Sequence, residues 1–258
     1  MKTKSICMTA AIVMLVALQA SAYVENWNYT QGPPLGTVSP WSLAYFGDTL
    51  KAEENVGWGT GAYVTQRAGA ADSVYTNTIP TLTGPIIRLE TSMFLGGENS
   101  HAYVGVQSSD TDWAHSPVAF MIHGKRFLFG IYDAAGGYHE DYNFDEYFHV
   151  KWWDVRVDID PLANSSNGEL DFYYKLPTET VWRQSAALSN LNLQLKANPT
   201  MDVPAEWNRM FVRVSTSGTY WQDMAYLGAI EYTSVPEPVT MVIFGLGGML
   251  TLLKRKAA

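Results

Sequence analysis

Asp154, Arg156, Asp158 and Asp160 stand at every second position of the run Lys151-Trp152-Trp153-Asp154-Val155-Arg156-Val157-Asp158-Ile159-Asp160. Side chains of an extended strand alternate between its two faces. These four charges and Trp152 therefore share one face, and Trp153, Val155, Val157 and Ile159 share the other. Carboxylates gathered this way suit two kinds of chemistry. Retaining glycoside hydrolysis needs two carboxyl groups about 5–5.5 Å apart, one of them protonated. Arg156 between Asp154 and Asp158 favours both in the ionised form, which argues against that use, and no catalytic residue is expected. A structural calcium ion is the other option, because it takes hard oxygen ligands. Asp158, Asp160 and Asn164 near one strand end are the candidate ligands. Asp141-Tyr142-Asn143-Phe144-Asp145 has the opening spacing of an EF-hand loop, but Glu146 stands where that loop requires glycine.

Aromatic residues supply the second chemistry. All nine Trp and all 15 Tyr lie beyond residue 22, and only Phe244 of the ten Phe lies in the last 24 residues. Flat aromatic faces stack on the apolar faces of sugar rings, although most aromatics in a sandwich fill its core. Trp152 and Tyr173 fall on the polar faces of their strands. They are the candidate glycan-stacking residues, expected near one another across a strand pair. Other chemistries find no support. The five histidines show no zinc spacing, and the single cysteine, Cys7, lies in an apolar N-terminal run. Neither a G-x-S-x-G elbow nor a phosphate-binding loop occurs.

The elements that would carry these residues read as strands. After the run ending at Pro161, Asn164 to Gly168 reads as a turn. Leu170, Phe172, Tyr174 and Leu176 then alternate with Glu169, Asp171, Tyr173 and Lys175, giving a hairpin. Residues 85–94, 101–107, 117–123, 126–132, 210–215 and 224–232 are further short runs rich in β-branched or aromatic residues, punctuated by Gly, Pro, Asn and Asp. Residues 185–197 are ambiguous between helix and strand, and Leu191-Asn192-Leu193-Gln194-Leu195 favours strand. Residues 23–80 are expected to give the first strand and long loops. Many short strands without an internal repeat predict an all-β, antiparallel, jelly-roll-type β-sandwich.

The two ends differ from this body. Lys2 and Lys4 precede an unbroken apolar run from Ile6 to Leu18, and Ala20-Ser21-Ala22 places small residues at the minus-three and minus-one positions of a secretory signal. Residues 1–22 thus read as a cleaved signal peptide, leaving Tyr23 first. Near the other end, Pro236-Glu237-Pro238 is stiff and extended. Val239 to Leu253 follows, 15 residues without a charge, and Lys254-Arg255-Lys256 forms a basic membrane stop. At 1.5 Å per residue that helix reaches about 22 Å, short of the roughly 30 Å hydrocarbon core. Removing Lys2, Lys4, Lys254, Arg255, Lys256 and Glu237 from the totals of 17 basic and 25 acidic residues leaves 12 and 24 in the body. A body near −12 lacks the basic footprint that nucleic acid requires.

Proline motif, short apolar helix with Gly245, Gly247 and Gly248, and basic cluster occur in the order that resembles the PEP-CTERM sorting signal of exported bacterial proteins. The resemblance covers residues 235–258. It implies recognition and cutting near the motif by an exosortase-type membrane transpeptidase, after passage through the secretion machinery. Transient membrane anchoring would be followed by placement at the cell surface or in the extracellular matrix. The strands at 151–160 and 168–175 and the closing 221–232 run resemble a laminin-G or concanavalin-A-like jelly roll. Signal peptide 1–22, sandwich 23–234 and sorting tail 235–258 then describe a non-enzymatic structural or adhesive protein whose partner is extracellular polysaccharide. The alternative is a secreted glycan-active hydrolase or lyase.

Overall fold

A computed structural model describes residues 22–31, 33–46, 51–53, 63–66, 73–82, 84–95, 100–107, 118–123, 128–141, 151–197, 207–216 and 225–235. Pro236, Glu237, Pro238, Lys254, Arg255, Lys256 and Ala20 lie outside these residues, as do Asn143 and Asp145. The strands form two antiparallel sheets. In the first, the order is β13 (Arg183–Gln184), β12 (Glu169–Lys175), β11 (Lys151–Asp160), β6 (Ile86–Leu95), β16 (Ala225–Val235), β4 (Tyr63–Gln66) and β3 (Lys51–Glu53). Two short strands attach to it: β1 (Ala22–Glu25) pairs with β16, and β14 (Leu191–Asn192) with β12. In the second sheet the order is β10 (Tyr138–Asp141), β9 (Leu128–Tyr132), β8 (Val118–His123), β7 (Ser100–Gln107), β15 (Arg209–Thr216), β5 (Ser73–Thr78) and β2 (Ser42–Phe46).

The alternation at 151–160 does what its periodicity requires. Trp153, Val155, Val157 and Ile159 are buried, and every residue between them is half-buried. They join Leu89 and Phe172 of the first sheet and Val104, Val212 and Phe129 of the second in one core. Phe129 meets Trp153 edge-on at 6.3 Å between centroids and Phe172 at 4.8 Å, so rings from the two sheets interlock. A smaller cluster of Val74, Tyr103 and Phe211, with Tyr138 against it, lies apart from this core.

The 23–80 region supplies more than one strand and loops: it contributes β1 to β5. Its N-terminal part is fixed by a buried carboxylate. Glu25 Oε1 accepts the Trp27 N–H at 2.9 Å; Oε2 accepts the Trp41 Nε1–H at 2.7 Å, the Tyr29 hydroxyl at 2.9 Å and the Tyr23 hydroxyl at 3.1 Å. Trp27 in turn donates its Nε1–H to the Gly228 carbonyl of β16 at 2.6 Å.

One further expectation is corrected, and one is refined. The 185–197 stretch is mostly irregular, with strand only at Leu191–Asn192 and a 3₁₀ turn at Leu195–Ala197. Its leucines Leu188, Leu193 and Leu195 plug the core from the side, which the chain achieves with left-handed backbone at Asn190 and Gln194. The turn between β11 and β12 is a left-handed turn: Asn164, Ser165 and Ser166 all have φ between 52° and 66°. Asp160 Oδ1 holds its entry by accepting the Leu162 and Ala163 N–H groups.

Candidate functional site: the outer face of the first sheet

Strand register converts the alternation into rows of side chains. Glu231 of β16 faces Glu90 of β6, Glu90 faces Arg156 of β11, and Arg156 faces Tyr173 of β12. The next row toward the β11–β12 turn carries Arg88 and Asp158. The row on the other side carries Ser92, Asp154 and Lys175. Beyond that stand Tyr226, Phe94 and Trp152.

Each acid of the alternating run is held. Arg88 donates to both oxygens of Asp158, at 2.7 and 2.8 Å, and the Arg156 guanidinium approaches the same carboxylate at 3.4 Å. This fork keeps Arg88 charged more firmly than an ordinary guanidinium. Asp154 accepts the Ser92 hydroxyl at 2.6 Å and pairs with Lys175 at 3.3 Å. Asp154 and Asp158 are four residues apart on one strand, about 13 Å, far beyond a glycosidase pair. Asp158 is committed to arginine, Asp160 to its turn, and Asn164 donates to the Gly168 carbonyl and to Glu169 at 3.3 Å each. Among the described residues no group of three His, Cys, Asp or Glu converges to hold a metal ion.

Trp152 and Tyr173 both occupy the outer face, yet apart from each other. Trp152 sits in the aromatic row, 5.7 Å from Phe94 and 6.1 Å from Tyr226 between centroids. Tyr173 lies opposite Arg156, whose guanidinium covers its ring at 4.0 Å. The expected pairing of these two rings is therefore replaced by a tyrosine–arginine stack.

The structure instead brings Asp154 together with residues that the sequence reading did not single out. A groove of about 200 Å³ is lined by Glu90, Thr91, Ser92, Asp154, Lys175, Trp182, Ala229 and Glu231. A β-bulge forms one wall: the β16–β6 register shifts between Leu227 and Ile230, which sets Gly228 and Ala229 of β16 against the single Ser92 of β6. A side chain at Gly228 would crowd Ser92, whose Cβ would lie 3.1 Å from the added carbon. Trp182 arrives from the β12–β13 connection. Glu179 fastens that loop by accepting the Leu176 N–H at 2.9 Å, by its own carbonyl to Lys175, and by an ion pair with Arg183. The Leu176 hydrogen bond, with Arg183 beside it, lowers the Glu179 carboxyl below its ordinary value. Lys175 and Arg156 lie 5.0 and 5.1 Å from the Trp182 ring centroid, which holds the indole over the polar face.

Glu90 and Glu231 are the groove's distinctive electrostatic feature. They stand directly opposite on adjacent strands, where like charges repel. Burial raises the Glu90 carboxyl above the usual range, and Glu231 and Asp158 push the same way against Arg88 and Arg156. Arg88 reaches Glu90 only at 3.6 Å, its fork being directed at Asp158.

No protein-family model matches the chain, and no curated protein does. Solved structures of similar shape exist at low identity. A xylan β-1,4-xylosidase from Bacillus halodurans is 13% identical over 82% of this chain, with a TM-score of 0.47; the chain spans 39% of that protein. The exoplasmic/lumenal domain of VIP36 in its Ca2+-bound form is 10% identical over 84% of this chain and 91% of its own, at 0.49. Lectin I-B4 from Griffonia simplicifolia, in metal-free form, is 10% identical over 82% and 98%, at 0.47.

Proposed function

We propose that the protein is an exported jelly-roll-type β-sandwich that binds extracellular glycan in the outer groove of the first sheet and serves a structural or adhesive role. One observation carries the binding reading: an indole, Trp182, stands beside Ser92, Asp154, Lys175, Glu90 and Glu231 around one shallow groove. An aromatic face covers a sugar ring, and carboxylates and an ammonium around it hydrogen-bond hydroxyls. The volume is below the roughly 300–1,000 Å³ of pockets that enclose a whole small ligand. A groove of this size suits one ring of a longer chain. The test is titration with a panel of polysaccharides: Trp182→Ala should abolish binding without unfolding the protein, and unchanged binding would refute this site.

The export reading rests on the two ends. Residues 1–22 act as a cleaved signal peptide, and residues 235–258 act as a sorting tail recognised by an exosortase-type transpeptidase. Strand β1 starts at Ala22 and β16 ends at Val235, one residue inside each of the two proposed segments. Replacing Pro236-Glu237-Pro238 by alanines should leave an uncut precursor in the membrane fraction; normal processing would refute the sorting role.

A glycan-active hydrolase is the second reading, and it is favoured by Glu90 and Glu231. Directly opposed residues have Cβ atoms about 4.5–5.5 Å apart. That compares with the carboxyl spacing of a retaining glycosidase, one partner of which must stay protonated. New reducing ends released from a bound polysaccharide, and lost in Glu231→Gln, would establish it.

A further inference from the structure

We infer that the groove selects a sugar bearing a free amine, with the Glu90–Glu231 pair as the specificity-determining contact. The inference rests on the glycan-binding reading above and names the ligand class. Four charged side chains line the groove: Glu90, Asp154, Glu231 and Lys175. Lys175 is paired with Asp154 at 3.3 Å, so the one ammonium is matched by one carboxylate. The two arginines nearby act on Glu90 only from the side, Arg88 at 3.6 Å and Arg156 from the facing strand, while their hydrogen bonds and stacking go to other partners. Arg88 gives both ends of its fork to Asp158, and Arg156 lies on Tyr173 with its amino group toward Asp158. Glu90 and Glu231 therefore remain as two acids opposed across adjacent central strands, on the wall facing Trp182.

Such a pair disfavours the empty site and rewards a cation placed between its members. A ligand ammonium supplies three donors and one positive charge, enough to bridge both carboxylates. A hydroxyl supplies one donor and no charge. A uronate would bring a third negative charge to the same wall. Partial burial of Glu90 strengthens this discrimination, because its charge is screened less than that of an exposed carboxylate such as Glu231.

The experiment is calorimetric titration with length-matched oligomers of glucosamine, N-acetylglucosamine and galacturonate, near neutral pH at low and high salt. The proteins are the wild type, Glu231→Gln, Trp182→Ala and Glu169→Gln, the last removing an acid from the far end of β12. The glucosamine oligomer should bind at least about tenfold more tightly than the N-acetylated one, and the galacturonate most weakly. Glu231→Gln should remove that preference by weakening glucosamine binding far more than N-acetylglucosamine binding. Glu169→Gln should leave the preference intact. Equal binding of the first two oligomers, or a preference that survives in Glu231→Gln, overturns the inference while a Trp182-dependent affinity upholds the groove. A loss of equal size in Glu169→Gln also overturns it, because attraction would then come from the acidic body at large. Binding insensitive to Trp182→Ala overturns the groove itself.

Discussion

Glu25 and Glu90 are both carboxylates withdrawn from water, and their surroundings could hardly differ more. Glu25 accepts four hydrogen bonds, from Trp27, Trp41, Tyr29 and Tyr23, so its ionised form is fully matched inside the fold. Glu90 faces another carboxylate on one side and Arg156 on the other, accepts no hydrogen bond from either, and has a long contact to Arg88. A matched buried acid belongs to the architecture, since removing it strands its donors. An opposed pair lining a groove is a cost to the empty fold, offset only when something binds.

The comparison can be broken at its strong end first. Trp153 anchors the core against Phe129 and Tyr174. Trp153→Ala should cost about 3–5 kcal/mol by denaturant unfolding, which sets the scale for a purely structural residue. Glu25→Ala should come next, at about 3 kcal/mol, because two hydroxyls, an indole N–H and a backbone N–H lose their acceptor together. A loss under one-third of that would show that water replaces the carboxylate and that the N-terminal knot is peripheral.

On the outer face the effects should shrink and then change sign. Trp152→Ala should cost about 1–2 kcal/mol, since its ring is one of three stacked in the aromatic row. No stability loss would return Trp152 to the role of a free stacking residue. Glu90→Gln should stabilise the protein by about 0.5 kcal/mol at neutral pH. The raised Glu90 carboxyl means that the folded state holds this proton more tightly than the unfolded chain does. Its penalty is therefore full above the folded-state value and disappears as pH falls through it. The stabilisation by Glu90→Gln should fade on acidification, as melting temperatures across a pH series would show. Destabilisation at neutral pH would mean that Glu90 is a matched acid like Glu25.

The difference also separates what could be read in the sequence from what could not. The alternation at 151–160 fixed both faces of β11 and the β11–β12 hairpin, because period-two burial and a short turn are local properties. The groove was illegible for the opposite reason. Glu90 and Glu231 meet through a register set across 140 residues of intervening chain, and nothing near either residue announces it. Trp182 follows a short turn whose course depends on Glu179 reaching back to Leu176. The Gly228–Ala229 bulge looks in the sequence like an uninterrupted strand. Trp152 and Tyr173 were placed on the correct face, but adjacency again required the register, which gave Tyr173 to Arg156.

Fluorine NMR of protein labelled with 5-fluorotryptophan, each resonance assigned by single substitution, tests the central claim most directly. On titration with glucosamine oligomer the Trp182 resonance should move in proportion to occupancy. Those of the buried Trp27, Trp41, Trp153 and Trp207 should stay in place. A Trp182 resonance that stays fixed while another indole responds would contradict the assignment of this groove as the binding site.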